Sequence, residues 1–575
     1  AHVKVTSKFR RSTYAGRRSL APAACQRGRV FRSLISGVAL AALLTGTVAA
    51  KADDSDVAAQ IKELKAQIRA LEKRVDQQQR TVSRVVIRQA QVPAYEPPHP
   101  WDKKFYLNGI TITPGGFLAM EGVYRTRDQG ADIGDTPFGG IPLLNNPLAH
   151  MNELRLTARQ SRVSTLIQGN VNPSTVVSGY YELDFLGSAN SANSNESNSY
   201  NPRIRHIYAT VDWNDIGFHI LAGQTWSLAT LQGKGITPRD EITPLTIDAQ
   251  YVAGFTWARQ PGIRLTKNFG DDVWLAASAE MPQTPGCASG TATSTTSGFV
   301  APSPPIPGIS SITCKQTPIG GGLLDSDTTY SINHVPDIIA KGVWEPTVAD
   351  RRLHLGVFGL YRDFYDRITY TSGATTNTDT AGWGVGGDII VPVMPKFIDL
   401  TGSALWGRGI GRYGAGGLSD VTFNPDGTFR ALPEAMFLAG VTVHATPQLE
   451  LYANGGGEKI LSPEYFPGYA GYGNPADVDN TGCFTEFGTC TGVTKDVWEI
   501  TGGFWDKIYQ GNFGSVRFGM QYAYIKRDLE PGTLVPGGGH GPLLGGSTDE
   551  NAIYASFRYY PFDPPAAAPP LAAKY

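Results

Sequence analysis

Five arginines in the first half of the chain occupy polar positions in segments where apolar and polar residues alternate. They are Arg155, Arg159, Arg203, Arg205 and Arg264. The planar guanidinium group binds carboxylates and phosphates through two parallel hydrogen bonds. The five lie in neighbouring segments, so we expect their side chains to converge on one surface, and such a surface attracts small anions.

Three carboxylates follow the same alternation in neighbouring segments. They are Glu121, Glu182 and Asp184. They can partner the arginines, and a surface with both charges then carries a transverse field instead of a uniformly positive one. Two interpretations stay open: a selectivity filter in a water-filled channel, or structural salt bridges across a wet interior. The same residues can serve both purposes.

The alternation itself predicts β-strands with one apolar face. In residues 118–125, Leu118, Met120 and Tyr124 share one face. Glu121 and Arg125 share the other. Comparable alternation occurs in residues 153–161, 177–185, 203–213, 263–267, 273–280, 353–362, 398–406, 437–444, 516–524 and 551–562.

Tight and long connections take turns between these strands. The tight ones lie at residues 172–174, 213–215, 268–271, 395–397, 446–448 and 510–512. Long polar segments such as 187–200 and 281–333 lie between them. Short turns at one end and long loops at the other are typical of an outer-membrane barrel. We therefore predict an all-β, transmembrane antiparallel β-barrel of about sixteen strands, with eighteen as the alternative.

Barrel size predicts which face is wet. A ring of about sixteen strands encloses a lumen too wide for side chains to fill, so water enters it. The charged face is then inside and the apolar face contacts lipid. Aromatic residues near strand ends are expected to form interfacial girdles, and these are Tyr124, Trp213, Trp274, Trp344 and Tyr559.

The third long connection, residues 225–250, is the best candidate for a loop folded into the lumen as a constriction. Its charged residues are Lys234, Arg239, Asp240, Glu241 and Asp248. A surface loop is the alternative.

We place the barrel at residues 105–562. The segments on either side of it indicate an exported protein. Residues 1–52 combine a basic stretch, an apolar run and an Ala-Lys-Ala site, which indicates a signal peptide cleaved before Asp53. An N-terminal membrane anchor is the alternative.

Residues 53–90 carry a heptad pattern that predicts a periplasmic coiled-coil helix. A helix packed on its own barrel is the alternative. Residues 91–104 form a Pro-rich linker and residues 563–575 a Pro/Ala-rich tail.

Four cysteines remain after the expected cleavage. Cys287 and Cys314 bracket one long loop, and Cys483 and Cys490 bracket part of another. Three pairings are possible, and the local pairing within each loop is favoured. Disulfides indicate an oxidising compartment. Neither pair has the spacing of a metal site, so we expect no metal.

Several function classes lack support in the sequence. The net charge of −1 offers no basic face for nucleic acid. Residues 409–414 match a GxGxxG pattern, but residues 415–417 (AGG) follow where a helix must begin, so we expect no cofactor. No HExxH or GxSxG motif occurs, and we expect no enzyme activity.

Short motifs along the mature chain resemble those of the DcaP-like outer-membrane porins of Gram-negative bacteria. They are the heptad segment and residues 152–162 (NELRLTARQSR), 203–208 (RIRHIY), 222–227 (AGQTWS) and 557–562 (FRYYPF). This resemblance implies a homotrimer of sixteen-stranded barrels with a periplasmic coiled coil, and passive uptake of small, often anionic solutes such as dicarboxylates. The tail after Phe562 and the large cysteine-bracketed loops depart from the pattern.

The expected function is therefore that of a porin in the outer membrane, embedded in lipid and passing small anionic or neutral solutes by passive diffusion. The alternative is a structural or adhesive outer-membrane protein, which contacts the cell wall through its coiled coil and external ligands through its long loops.

Overall fold

The computed structural model describes residues 103–133, 138–187, 201–248, 251–285, 306–315, 330–466, 471–535 and 539–564, together with Ala66 and Lys73. Ala66 and Lys73 are helical. The expected signal peptide, the Pro-rich linker up to Asp102, and the remainder of the heptad segment lie outside the described residues, as does the tail beyond Pro564. No helix among the described residues is long and apolar enough to cross a membrane.

The described chain forms a closed antiparallel sheet of sixteen strands, which confirms the predicted fold class. The strands are β1 Ile110–Arg125, β2 Glu153–Thr157 with its continuation Arg162–Asn170, β3 Thr175–Asp184, β4 Arg203–Trp213, β5 Phe218–Trp226, β6 Arg259–Phe269, β7 Val273–Glu280, β8 Asp337–Trp344, β9 His354–Tyr370, β10 Thr375–Met394, β11 Ile398–Arg408, β12 Pro433–His444, β13 Leu449–Ile460, β14 Thr494–Gly511, β15 Gly514–Leu529 and β16 Ser547–Tyr560. Each strand pairs with the next, and β16 pairs with β1 from Leu118 opposite Tyr559 to Arg125 opposite Ala552.

The two ends of the barrel differ as the turn pattern predicts. The short connections are residues 171–174, 214–217, 270–272, 345–353, 395–397, 445–448 and 512–513. Gly217 and Gly270 adopt φ angles of 61° and 64° in two of them, a conformation that suits glycine. Seven of the eight connections at the other end are long; the exception is the tight turn 371–374 between β9 and β10.

The outer face is apolar and the inner face carries the charges. Leu154 and Val357 point outward and are 67% and 68% exposed. Glu121 and Arg125 point inward and are buried. Trp344 is exposed on the outer face as expected for a girdle.

Trp274 corrects one girdle expectation, because its side chain is buried on the inner face. It lies opposite Val343, which is also buried. A Cβ atom added to Gly235 would lie 2.2 Å from the Trp274 ring. The residue type therefore identified a strand end, but Trp274 packs against the loop that enters the barrel.

The interior also differs from the wet lumen expected from strand number alone. Apolar inner positions of β7, β8 and β9 meet apolar residues of the loop 227–258 in one buried cluster. It includes Leu228 and Ile236 from the loop with Phe358 and Leu360 from β9. Part of the lumen is thus packed protein, because the loop supplies the side chains that the wall lacks.

Small sheets and a disulfide order the long loops. Ile309–Thr313 extends the β9 ladder, and Val421–Phe423 pairs with Phe429–Ala431. Cys483 and Cys490 are joined by a disulfide, as predicted. Cys314 is disulfide-bonded, and Cys287 lies outside the described residues.

A charged substitution on the outer face tests the orientation of the barrel wall. Ile389 faces outward on β10, about midway between Trp383 and Met394. Ile389→Arg should destabilise the folded barrel in lipid vesicles by about 2–4 kcal/mol, measured by urea unfolding. Thr401→Arg is the matched control. Thr401 pairs with Ile390 on the neighbouring strand, but its side chain faces inward, so this change should destabilise the barrel less. Equal losses would contradict the assigned faces.

Candidate functional site

The loop 227–258 runs through the interior of the barrel as a hairpin. Its two arms are held by the Gly233 amide donating to the Asp240 carbonyl (2.7 Å) and by the Ile242 amide donating to the Leu231 carbonyl (2.9 Å). Its tip reaches the short-turn end, where Lys234 Nζ lies 3.6 Å from Asp271. The predicted loop therefore spans the depth of the barrel.

The second half of this loop is anchored on the opposite wall. The Ile247 amide donates to Gln521 of β15 at 2.6 Å, and the Ala253 amide donates to Glu499 of β14 at 3.1 Å. A segment that contacts inward side chains across the ring lies inside it. Both acceptors are buried, so these bonds are made without competition from bulk water.

Gly254 permits the closest approach between loop and wall. It has a φ of 83°, and its amide donates to Glu458 at 2.9 Å. A Cβ atom at this position would lie 1.8 Å from the Phe437 carbonyl oxygen. A side chain here would push the loop off the wall.

Arg558 joins the loop to the seam where β1 meets β16. Its Nε donates to Glu121 at 2.8 Å and its Nη2 donates to the Ile247 carbonyl at 3.1 Å. Its guanidinium also lies 4.6 Å from the centre of the Trp505 ring. Glu121 is therefore buried beside Arg558 and does not pair with the five arginines singled out in the sequence.

Arg203 and Arg205 do converge, and they pair with the two carboxylates expected. Arg203 Nη2 and Arg205 Nη1 lie 2.7 Å and 3.0 Å from Asp184. Arg205 Nε lies 2.6 Å from Glu182. A register shift between β3 and β4 places Glu182 opposite His206 and Leu183 opposite Ile204. This bulge turns Arg205 and its neighbour His206 both inward.

Two further arginines complete this surface, and the sequence analysis missed both. Arg162 Nη1 lies 3.9 Å from Glu182, and the Arg259 guanidinium lies 5.0 Å from the centre of the Trp226 ring. We call the surface the arginine wall. It comprises Arg162, Arg203, Arg205, Arg259, Glu182 and Asp184. Four arginines against two carboxylates make it net positive.

Aromatic rings continue the arginine wall toward the loop tip. Tyr180 and Tyr208 lie 5.6 Å apart, and His206 lies within 6.3 Å of both. Arg239 of the loop donates to the Tyr208 hydroxyl at 3.1 Å and lies 5.7 Å above the Tyr180 ring. Its φ of 70° is uncommon for a residue with a side chain. Such conformations concentrate at functional sites, which directs attention to Arg239.

Three of the five predicted arginines lie elsewhere. Arg155 is half exposed and bonded to Glu153 at 2.6 Å. Arg159 falls in the break between the two parts of β2, where it pairs with Asp132 (3.1 Å) and donates to two loop carbonyls. Arg264 is buried, with Nη2 donating to the Trp226 carbonyl at 2.7 Å. The expectation that all five form one surface is therefore wrong.

The remaining charged loop residues divide between the tip and the anchors. Lys234 is half exposed at the tip, and the Asp240 carbonyl closes the hairpin. Asp248 is buried and accepts from Gln521 at 2.8 Å. Burial raises the pKa of the Asp248 and Glu241 carboxyls above their ordinary values.

A cavity of about 390 Å³ lies on the other side of the loop. The loop lines it with residues 241–245, β11 to β13 line it mainly with polar side chains, and Ile390 of β10 adds an apolar one. His444 links two acids there, with Nε2 3.0 Å from Asp399 and Nδ1 3.3 Å from Glu450. We call Asp399, His444 and Glu450 the acidic wall. Its strands stand roughly half a ring away from β4, and its residues flank the short turns 395–397 and 445–448, whereas Asp184, Arg203 and Arg259 lie at the long-loop ends of their strands. The two walls are therefore on opposite sides of the barrel and near opposite ends of it.

Comparison with known proteins supports the fold. No family model and no curated protein matches this chain. The outer membrane channel DcaP of Acinetobacter baumannii is similar in structure, with a TM-score of 0.53 and 18% identity over 79% of this chain and 99% of that chain. OmpT of Vibrio cholerae (TM-score 0.39, 11% identity, 80% and 99% covered) and an anion-selective porin from Comamonas acidovorans (0.41, 10%, 78% and 99%) are more distant. At these identities the likeness to DcaP concerns the fold alone, and the other two carry no argument.

The buried pair of Arg558 and Glu121 should be a main anchor of the folded interior. Arg558→Met leaves a buried carboxylate without its partner, and we expect a loss of about 3–5 kcal/mol in unfolding free energy, measured by urea titration. Arg517→Met is the control, because Arg517 and Asp563 are each about a quarter exposed. That change should cost at most about 1 kcal/mol. Adding Glu121→Gln to Arg558→Met should recover part of the loss; no recovery would refute the pairing.

Proposed function

We propose that the protein is an outer-membrane porin, a water-filled channel for passive diffusion of small hydrophilic solutes with a preference for anions such as small carboxylates. The observation that carries this proposal is the arginine wall facing Arg239 inside a closed barrel with an apolar outer face. An apolar outer face fits lipid, and a charged interior fits water. Fixed charge beside a narrow passage selects permeating ions by sign.

The arrangement of the arginine wall favours carboxylates. Arg203 is about a quarter exposed and presents a planar set of donors, two of which Asp184 engages. The buried Arg205 holds Asp184 and Glu182 in place beside it. Arg239 adds a cation from the loop side, held by Tyr208. Guanidinium groups on two sides of a passage can hand a carboxylate from one pair of donors to the next. Because Glu182 and Asp184 already occupy part of the donors, binding stays weak enough for release.

The acidic wall limits the preference for anions over cations. Asp399 and Glu450 lie near the short-turn end, on the opposite side of the barrel from the arginine wall, and attract cations there. A solute with separated positive and negative groups would align with this field. Neutral solutes pass according to size.

Assembly and cell-wall contact are part of the proposal. The heptads of residues 53–90 are suited to joining barrels into a homotrimer and to reaching the cell wall from the periplasmic side. Chemical cross-linking of the purified protein, with and without residues 53–90, tests the trimer.

Removing positive charge from the passage should lower anion preference. One unit charge about 4 Å from a permeating ion contributes about 1 kcal/mol in bulk-like water, roughly a fivefold change in permeability. Arg239→Gln and Arg205→Gln should therefore each lower the chloride-to-potassium permeability ratio, measured in planar bilayers. Arg155→Ala should have a smaller effect, because Arg155 lies outside the arginine wall, beside Glu153. Arg127→Gln is the control, because Arg127 bonds Asp549 outside the arginine wall.

A folded wild-type protein that gives no conductance steps would rule out the porin. Steps with a permeability ratio untouched by Arg239→Gln and Arg205→Gln would rule out the arginine wall as the filter. Liposome swelling with succinate, its neutral amide and glucose extends the test from ions to solutes.

Neutralising the acidic wall should act in the opposite direction. The double variant Asp399→Asn/Glu450→Gln removes two negative charges that line the cavity. The chloride-to-potassium ratio should rise, again by roughly fivefold per charge at most. Asp506→Asn is the control, on β14 outside the cavity lining. An unchanged ratio would show that ions do not pass this wall.

A further inference from the structure

A histidine and two aspartates meet at the long-loop end of the barrel, away from the channel. His334 lies just before β8, Asp363 on β9 and Asp379 on β10. His334 Nε2 lies 3.2 Å from Asp379 Oδ1 and 3.5 Å from Asp363 Oδ2. These three atoms all lie within 4.8 Å of one another. The three side chains therefore offer one nitrogen and two oxygens to a common point.

This cluster is on the outer face of the barrel. Asp363 shares the face of Tyr361 on β9, and Asp379 shares that of Trp383 on β10, because side chains alternate along a strand. Tyr361 and Trp383 are exposed outward, and Trp383 packs on Trp406 with ring centres 5.1 Å apart. Asp363 is two residues beyond Tyr361, or about 7 Å along the strand. These exposed rings, with Trp406, serve as the aromatic girdle at the long-loop end, and the cluster sits just beyond them at the level of lipid headgroups.

Asp363 supplies the observation that points to a ligand. Its side chain is only 8% exposed, and its Oδ2 has no hydrogen-bond partner among the described residues. This oxygen is directed at His334. A buried carboxylate oxygen without a donor is costly, and a bound cation removes that cost.

The distances suit tetrahedral coordination. Bonds of about 2.0–2.2 Å to nitrogen and oxygen place tetrahedral ligand atoms about 3.3–3.5 Å apart. The distances from His334 Nε2 to the Asp379 and Asp363 oxygens, 3.2 Å and 3.5 Å, agree with this spacing of ligand atoms. Imidazole with carboxylates selects zinc-like metals over magnesium or calcium, which prefer oxygen alone. The His334 ring is held by Tyr365, with ring centres 4.2 Å apart.

We propose that His334, Asp363 and Asp379 form a site for a divalent transition-metal ion of the zinc type on the outer rim, with a fourth position open to water. The bound ion joins the segment before β8 to the β9–β10 hairpin. It therefore fastens the end of the long loop 281–336 to the barrel wall. This site is independent of the channel and of its selectivity.

Metal titration of the full-length folded protein tests the site. After treatment with a chelator, the protein competes with a chromophoric indicator for zinc. We expect one ion per chain, and affinity lowered at least about tenfold in His334→Gln and in Asp379→Asn. His540→Gln is the control, an exposed histidine in another long loop. X-ray absorption should report one imidazole among light-atom ligands.

Asp379 is more than half exposed, so Asp379→Asn should leave folding intact. It therefore tests the site even if a substitution at a buried residue disturbs folding. Folding of each variant is checked by the shift in electrophoretic mobility on heating. Absence of bound zinc in the wild type, or equal affinity in His334→Gln, would mean that the cluster is only an ion pair of protonated His334. Binding of calcium with equal strength would overturn the assignment to a zinc-type metal.

Discussion

The pairing of β16 with β1 is the constraint on which the rest of the structure depends. Hydrocarbon offers no hydrogen-bond partner to a strand edge, so every backbone amide and carbonyl of a membrane-facing sheet must be satisfied within the protein. The register from Leu118 opposite Tyr559 to Arg125 opposite Ala552 removes the last two edges. Closing the ring at sixteen strands also sets its width. That width is more than the wall side chains can fill, so the chain must provide something else to narrow the interior.

The loop 227–258 is what narrows it, and its attachment relies on buried acids more than on apolar contact alone. Glu458 and Glu499 project from the wall and accept amide hydrogens of the loop backbone. Carboxylates suit this task because they accept several hydrogen bonds and are strong acceptors where water is scarce. The loop divides the interior between β2 to β6, which carry the arginine wall near the long-loop end, and β11 to β13, which carry the acidic wall near the short-turn end. Opposite charges are therefore separated along the barrel as well as across it.

Sequence alternation predicted which face of a strand each side chain occupies. It did not predict how deep in the barrel that side chain lies or which residues of distant strands it contacts. It grouped Arg203 and Arg205 correctly with Glu182 and Asp184, because these residues are on adjacent strands. It misplaced Arg159, since the break at residues 158–161 interrupts the period. Arg558 and Glu121 are 437 positions apart, and only ring closure brings them together. The acidic wall went unnoticed for a related reason: alternation cannot show that Asp399 and Glu450 share one cavity with His444.

The β9–β10 hairpin extends well past the aromatic girdle. From Trp383 to Thr375 the strand continues for eight residues, about 27 Å at the rise of an antiparallel strand. Ile309–Thr313 adds a third strand to it, and Phe364 packs with Phe423 and Phe429 of another loop. The exposed turn at Ser372 and Gly373 caps this hairpin, so its outer half stands beyond the part of the ring that lipid surrounds. Substitutions on its exposed surface can therefore accumulate without altering the passage inside the barrel.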